Sequence, residues 1–275
     1  MSPHDQPPAL ADLLTCELAR EIGESAVDVW APTSPASLVA ALAARAGSRP
    51  ELAIAAGFTT LDADPVVAAT LGEAAMYAGE GAVVDWAADT FALLARGRIG
   101  VVVTPAQLDA RGATNLSGIG PLGRPKVALP GAQGLPDNNH SPSRVWYLFP
   151  SHSPRQLVAR VDVVCGAPPP PEAARRLLSA AGLFKLTAAG WRAIWLTPDG
   201  ADLVAAAPGF GVVLTGSEQV RSEPDPDLLA AVRAVDPEEV RVIEFCTPEA
   251  AARRVARAAE SEASSPLRLP TVSGR

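Results

Sequence analysis

The sequence predicts an α/β fold with a largely parallel central sheet, and three observations carry that prediction. Short apolar runs of β type alternate with segments of helical spacing along most of the chain. Helix start and stop residues fall where that alternation needs them. The 275 residues are 48% hydrophobic and 19% charged, which is enough to bury a sizeable core and excludes a wholly disordered chain.

Taken in order, residues 1–8 read as a loose polar tail. Leu10, Leu13, Leu14 and Leu18 follow i, i+3, i+4, i+8 spacing and predict a helix that stops before Gly23. Ala26–Trp30 reads as a strand. Ser34 caps a second helix with Pro35 at its first position, Leu38 and Leu42 on its buried face and Gly47 at its end. The rhythm continues with a strand at Glu51–Ala55, a helix at about Asp89–Ala95 ending at Gly97, and a strand at Ile99–Val103. Val145–Phe149 and Leu157–Val164 read as buried strands, and Pro168–Pro171 as an extended spacer before a helix from Glu172 to about Ala180. Phe184–Leu186 and Trp191–Leu196 flank a glycine-containing turn and predict a hairpin. Thr247 caps a last helix with Pro248 at its first position, and residues 259–275 read as a second flexible tail. Residues 9–258 therefore form one domain, without internal repeat or linker.

Charge and cysteine usage narrow the function. Thirty acidic residues against 23 basic give a formal charge of −7, so the basic footprint of a general nucleic-acid binder is missing. Cys16, Cys165 and Cys246 lie far apart without metal-ligand spacing and read as buried thiols of a reducing compartment. Met1–Ala9 lacks the basic start and apolar core of a secretory leader, and no stretch approaches the roughly 18 apolar residues of a membrane span, which predicts a cytoplasmic protein. Neither His4, His140 nor His152 belongs to an i, i+4 pair or a ligand set, so no metal site is expected.

Gly118-Ile-Gly-Pro-Leu-Gly123 satisfies G-x-G-x-x-G, but a dinucleotide loop must open into a helix, and Pro121 with Arg124-Pro125 blocks one. It reads as a glycine-rich turn. No G-x-S-x-G elbow is present, and no cysteine has a neighbouring base. Arg253, Arg254 and Arg257 lie at helical spacing among glutamates and read as a solvated face. The stretch from 104 to 140 departs most from a bland domain. Glycine and proline interrupt it so often that regular helix is excluded, yet it is apolar enough to be buried. A glycine-rich buried loop brings backbone N–H groups to one point, as an oxyanion hole requires.

Gln107, Leu108, Asp109, Gly112 and Asn115, followed by Gly131, Gln133, Gly134 and Asp137, give this stretch a second meaning. Their order and spacing resemble the β subunit of heteromeric family I CoA-transferases of the glutaconate CoA-transferase type. That subunit carries Gln-Val-Asp-x-x-Gly-x-x-Asn and then Gly-x-Gly-Gly-x-x-Asp. The likeness extends over most of residues 10–245, through Ser34-Pro35, Arg96-Gly97-Arg98, Gly182-Leu-Phe184 and Val235-Asp-Pro237. It implies a parallel-sheet α/β layer that pairs with a homologous α subunit as αβ or α2β2, with the active site at their interface. It also implies coenzyme A as part of an acyl-CoA substrate and no tightly bound cofactor. The amides around Gly131, Gln133 and Gly134 would then hold the thioester or enolate oxygen, and Asn115, Ser117, Asn138, Asn139 and Ser34 would orient the acyl group. The base would come from the partner, or from His140.

Two departures matter. The family's Gly-x-Gly-x-Pro at the first strand–helix turn is replaced by Ala31-Pro-Thr-Ser-Pro35. The transferase glutamate, two residues before a glycine at the end of the second strand, is replaced by Ala55 in Ala55-Ala56-Gly57. A methyl group forms neither the acyl anhydride nor the glutamyl-CoA thioester of CoA transfer. The chain therefore resembles diverged branches without that glutamate: actinobacterial ring-opening hydrolases of steroid breakdown, or decarboxylases in which a cysteine takes its place. No cysteine lies near 55, which favours the hydrolases. Two other readings stay open: a transferase whose carboxylate comes from the α subunit, or from Glu51 or Asp62 in a shifted register, and a non-catalytic structural or regulatory subunit.

Overall fold

The computed structural model describes residues 7–31, 34–56, 60–61, 92–170 and 173–264. The chain opens with helix α1 (Pro7–Gly23), strand β1 (Asp28–Trp30), helix α2 (Pro35–Ala46), β2 (Ile54–Ala56) and β3 (Thr60–Leu61). Next come β4 (Ile99–Val103), β5 (Gln107–Asp109), β6 (Thr114–Asn115), the β7–β8 hairpin (Gly118–Ile119 and Val127–Ala128) and helix α3 (Leu135–His140). Strands β9 (Arg144–Leu148), β10 (Leu157–Val158), β11 (Ala174–Ser179), β12 (Gly182–Thr187) and β13 (Gly190–Leu196) follow. Helix α4 (Gly200–Ala206), β14 (Gln219–Val220), α5 (Pro226–Val235), a 3-10 segment (Val240–Phe245) and α6 (Pro248–Ser264) complete it.

Nine strands form one sheet in the order β14-β13-β12-β11-β9-β4-β1-β2-β3. From β11 through β9, β4 and β1 to β2 every pairing is parallel, as the alternation of strands and helices predicts. The chain steps from β1 to β2 on one side and later returns to β4 on the other. Strand order thus reverses at β1, and the crevice beyond the C-terminal ends of β1 and β4 is where an open α/β sheet places its ligand.

Alternate residues face opposite layers. Val29, Ile54, Val102, Trp146 and Leu148 pack under α1 and α2 with Leu14, Leu18, Val39 and Leu42. Trp30, Ala55, Val101, Val103, Val145 and Tyr147 face the layer built by residues such as Leu108, Leu135, Trp191 and Phe210. Each fully buried Val, Leu or Phe of these layers contributes about 1.5–3 kcal/mol relative to exposure.

One ion cluster ties the C-terminal segment to this core. Arg241, fully buried, donates from Nε and Nη2 to Asp12 Oδ1 at 2.9 and 2.7 Å and from Nη1 to Asp236 Oδ2 at 2.9 Å. The 3-10 segment is thereby fixed against α1.

His152 is a second buried polar group. Its Nδ1 lies 2.8 Å from Ser179 Oγ, its ring packs on Phe184 and Phe210, and burial pushes its pKa down from 6.5 to about 4. The native imidazole stays neutral while the unfolded one takes up a proton below pH 6.5. This group's stabilisation is therefore complete above pH 6.5 and falls by about 3 kcal/mol as pH drops towards 4. Urea unfolding of wild type and His152→Leu at pH 7 and 4.5 measures it: the variant should lose less stability between the two, and equal losses would refute the assignment.

Several sequence expectations need correction. Residues 174–179, expected in a helix, form β11, because β9 and β12 flank this segment and pair with it on both sides. Leu177 and Leu178 then enter opposite layers. Of Leu157–Val164 only Leu157–Val158 is strand, and Val164 is exposed. Strand β2 starts at Ile54 rather than Glu51. Residues 92–95 are helical, while 89–91 of that expected helix lie outside the described residues, as do 1–6 of the first tail. Helix α6 runs to Ser264, past the expected start of the second tail at 259. Cys165 and Cys246 are half-buried, and only Cys16 is buried, its thiol pushed by that burial up to about 12. No helix among the described residues is long and apolar enough to cross a membrane.

Candidate functional site

The motif Gln107–Asn115 is a scaffold. Strands β5 and β6 pair with Gln107 opposite Asn115, and the turn between them closes on Asp109, whose Oδ1 accepts the N–H groups of Arg111 and Ala113, each at 2.9 Å. Gly112 has φ +86, and a Cβ there would stand 2.9 Å from both Leu186 and Pro169, so this turn requires glycine. Asn115 Nδ2 donates to Gln107 Oε1 at 2.7 Å and to Gly118 O at 2.8 Å, and its Oδ1 accepts from Ser117 N at 2.9 Å. Asn115, fully buried, therefore has no free group for an acyl chain; its hydrogen bonds hold the backbone from which the next loop hangs.

That loop is tied at two points: Leu129 N–H donates to Ser117 O at 3.1 Å and Gly131 N–H to Leu116 O at 3.0 Å. The Gly131 amide is thus already engaged, which corrects its expected part in an oxyanion hole. Gly131 has φ +110 and Gln133 φ +48, and among the described residues the amides of Ala132, Gln133 and Gly134 have no hydrogen-bond partner. The family pattern has glycine where this chain has Gln133, and Gln133 keeps a left-handed conformation that costs a residue with a Cβ of order 1–3 kcal/mol. A strained loop with free amides is of the kind that can receive an anion or a polarised oxygen.

Helix α3 follows directly, although the punctuation of 104–140 excludes helix; Pro136 is tolerated in its first turn. Asn139 is consumed by the fold: Nδ2 donates to Gly112 O at 2.9 Å and Ala167 O at 2.5 Å, and Oδ1 accepts from the Tyr147 hydroxyl. Asn138, 6% exposed, lies beneath Gly134, and its Oδ1 has no partner. Ser117 is half-buried, with Oγ 3.0 Å from Cys165 Sγ. Of the four polar side chains expected near the loop, Ser117 and Asn138 keep hydrogen-bonding capacity, while Asn115 and Asn139 are fully committed. His140 is exposed at the end of α3.

Ser34 is elsewhere. It is buried as the N-cap of α2, accepts from Ser37 N at 3.1 Å and donates to Glu244 Oε2 at 2.5 Å. Its place is at the C-terminal end of β1, and its hydroxyl serves the helix rather than a substrate. Glu244 was not legible in the sequence; Val235-Asp-Pro237, which begins the anchor of its segment, was the only signal near it. Cys165 beside Ser117 was likewise missed, because the contact joins residues 48 apart in sequence.

The loop is less covered than expected. Residues 121–128 are exposed, with Leu122 at 70% and Val127 at 50%, an apolar edge beside the free amides. In the same hairpin the G-x-G-x-x-G run ends in a turn with no helix after it, as Pro121 and Pro125 predict. Among the described residues no group of His, Cys, Asp and Glu could hold a metal ion.

The position of the family glutamate completes the geometry. Ala55 lies in β2, opposite Trp30 of β1 and Leu61 of β3, and is 4% exposed. Glu51 cannot replace it by a register shift: it lies before the N-terminal end of β2, exposed and paired with Arg49 at 3.3 Å. Asp62 lies outside the described residues.

No family model matches the chain. It is 31% identical over 229 residues to the cholesterol ring-cleaving hydrolase IpdB subunit of Rhodococcus jostii (strain RHA1), covering 76% of this chain and 85% of that one. The chain belongs to the family I CoA-transferase subunits. Within that family it stands with diverged members: the IpdB subunit of Mycobacterium tuberculosis (strain ATCC 25618 / H37Rv) is 33% identical over 154 residues, 54% of this chain and 57% of that one. Among solved structures, the decarboxylase AibA/AibB superposes with a TM-score of 0.75 at 30% identity, covering 84% of this chain and 96% of that chain. Rhodococcus jostii RHA1 IpdAB gives 0.70 at 27%, covering 86% and 98%. Glutaconate coenzyme A-transferase from Acidaminococcus fermentans, at 0.69 and 16% over 82% and 93%, shares the fold.

Proposed function

We propose that this chain is the β subunit of a two-subunit enzyme that opens a ring in an acyl-CoA thioester by hydrolysing a carbon–carbon bond. A homologous α subunit is its partner. The observation that carries the reading is Ala55: it lies in β2 opposite Trp30 with 4% exposure, and where the resemblance puts the nucleophile of CoA transfer this chain has a methyl group. The relatives named as ring-cleaving hydrolases supply the reaction class.

In this reaction water adds to a ring carbonyl, the adjacent carbon–carbon bond breaks, its electron pair leaves as an enolate and a proton returns to carbon. The amides of Ala132, Gln133 and Gly134 would face the oxygen that gains charge, Ser117 and Asn138 would orient the acyl group, and the base would come from the α subunit, with His140 as the alternative. The exposed edge at Leu122 and Val127 would be covered by that subunit. Coenzyme A arrives as part of the substrate, no tightly bound cofactor is invoked, and the setting is the cytoplasm.

The test uses the complex with its α subunit and a cyclic β-diketone acyl-CoA in ¹⁸O-water. One ¹⁸O should enter the new carboxylate, and borohydride added with substrate should leave activity intact. Inactivation by borohydride would instead identify a glutamyl-CoA thioester and a transferase.

A further inference from the structure

Glu244 is a half-buried titratable group that the proposed chemistry leaves unused. Its Oε2 accepts from Ser34 Oγ at 2.5 Å and from Ala36 N–H at 3.1 Å, two donors of the first turn of α2. That turn stands at the C-terminal end of β1, beside the crevice where strand order reverses. The chain builds this contact at a cost. Arg241, Asp12 and Asp236 bury three charges to fix the 3-10 segment, and Glu239, just before it, has φ +55. Gln133 and Glu239 are the two non-glycine residues with positive φ among the described residues, one in the amide loop and the other at the root of the segment carrying Glu244.

We propose that Glu244 is a positioning residue of the enzyme, whose ionised carboxylate holds the first turn of α2 in its working place, so that acyl-CoA turnover depends on its charge. This rests on the acyl-CoA reading above. Burial raises the carboxyl from 4.5 to about 7, opposed by the bonds from Ser34 and Ala36. Among the charged groups packed around the segment, Asp12 of α1 is held by Arg241 and Arg233, Glu239 lies near Arg254 of α6 at 3.5 Å, and α2 has no acidic residue in its first turn. Glu249, in the first turn of α6, is exposed. Above pH 7 the carboxylate accepts both bonds with full charge; below it the proton weakens both. Turnover should therefore rise with pH through 7.

The experiment measures kcat/KM of the αβ complex on acyl-CoA from pH 5.5 to 8.5, with carboxyl infrared spectra over the same range. Wild type should show an inflection near 7 and a protonated-carboxyl band that appears on acidification through that pH. E244Q keeps an uncharged acceptor for both donors, so its profile should be flat there and the band absent. E244A should lose about tenfold in kcat/KM at every pH. An E244Q profile that keeps the wild-type inflection, or a band unchanged by the substitution, overturns the proposal. If wild type consumes no acyl-CoA the functional reading falls instead, and the infrared titration then reports separately whether Glu244 changes charge near pH 7.

Discussion

Replacing Gly131 with valine should lower turnover of the assembled enzyme by about 10²–10³-fold while the subunit stays folded. Gly131 has φ +110, which a β-branched residue does not adopt without strain, whatever the space around it. Beyond its chain neighbours no atom lies within 4 Å of the Cβ position, so the added Cβ meets open space and the effect comes from backbone strain rather than from the core. The strain is relieved by moving the loop, and the loop carries the free amides of Ala132, Gln133 and Gly134. Losing alignment of one such donor accounts for the expected rate loss. Circular dichroism and the unfolding midpoint should change little, because residues 130–134 are exposed or half-buried. Unchanged turnover by a folded complex would favour a subunit kept for structure or regulation. Gly134→Val makes a useful comparison, since its Cβ would stand 3.0 Å from Asn138 Nδ2 and so disturb Asn138 as well.

The parts of the fold legible in the sequence were those with local signals. Ser34-Pro35 marks the start of α2, and the capping bond from Ser37 N is present. Ile99–Val103 is an unbroken apolar run because β4 is central and covered on both faces. Asp225-Pro226 carries the same kind of start signal, and Asp225 caps α5 through Asp227 N and Leu228 N; this helix was legible too, since Leu228, Leu229, Val232 and Val235 give it an apolar face, but it is absent from the sequence prediction. Strand β11 failed for a different reason: its partners, β9 and β12, decide its conformation, and pairing outweighs local propensity.

The candidate site was legible as a place but not in its roles. Spacing located the loop, since Gly112, Gly131 and Gly134 stand where the backbone turns. It could not tell a scaffold asparagine from a substrate-binding one, because that depends on partners far away in sequence: Gln107 for Asn115, Gly112 and Ala167 for Asn139. Ser34 was misread for the same reason, with Glu244 lying 210 residues further on. The exposed edge at Leu122 and Val127 also explains why an apolar stretch that should be buried is not covered by this chain's own layers. Under the proposed function, that edge is where the α subunit would pack.

The largest loss of stability should come from Arg241→Met, about 3–5 kcal/mol. The substitution keeps the stem and removes the charge, leaving Asp12 at 5% exposure and Asp236 at 2% without the cation that both face. Asp236 retains the N–H groups of Val240 and Arg241, but Asp12 keeps only Arg233, whose side chain is 61% exposed and screened by solvent. Urea unfolding of the chain measures the loss, and a change below about 1 kcal/mol would show the cluster to be better solvated than its burial implies. A triple replacement, Arg241→Met with Asp12→Leu and Asp236→Leu, removes every charge at once and should recover much of the stability, since what costs most is an unpaired buried carboxylate. Turnover should not recover with it. The triple variant loses the Asp236 bonds that begin the 3-10 segment, so Glu244 would no longer be aimed at the first turn of α2. A variant with restored stability and wild-type turnover would show that the cluster serves folding alone.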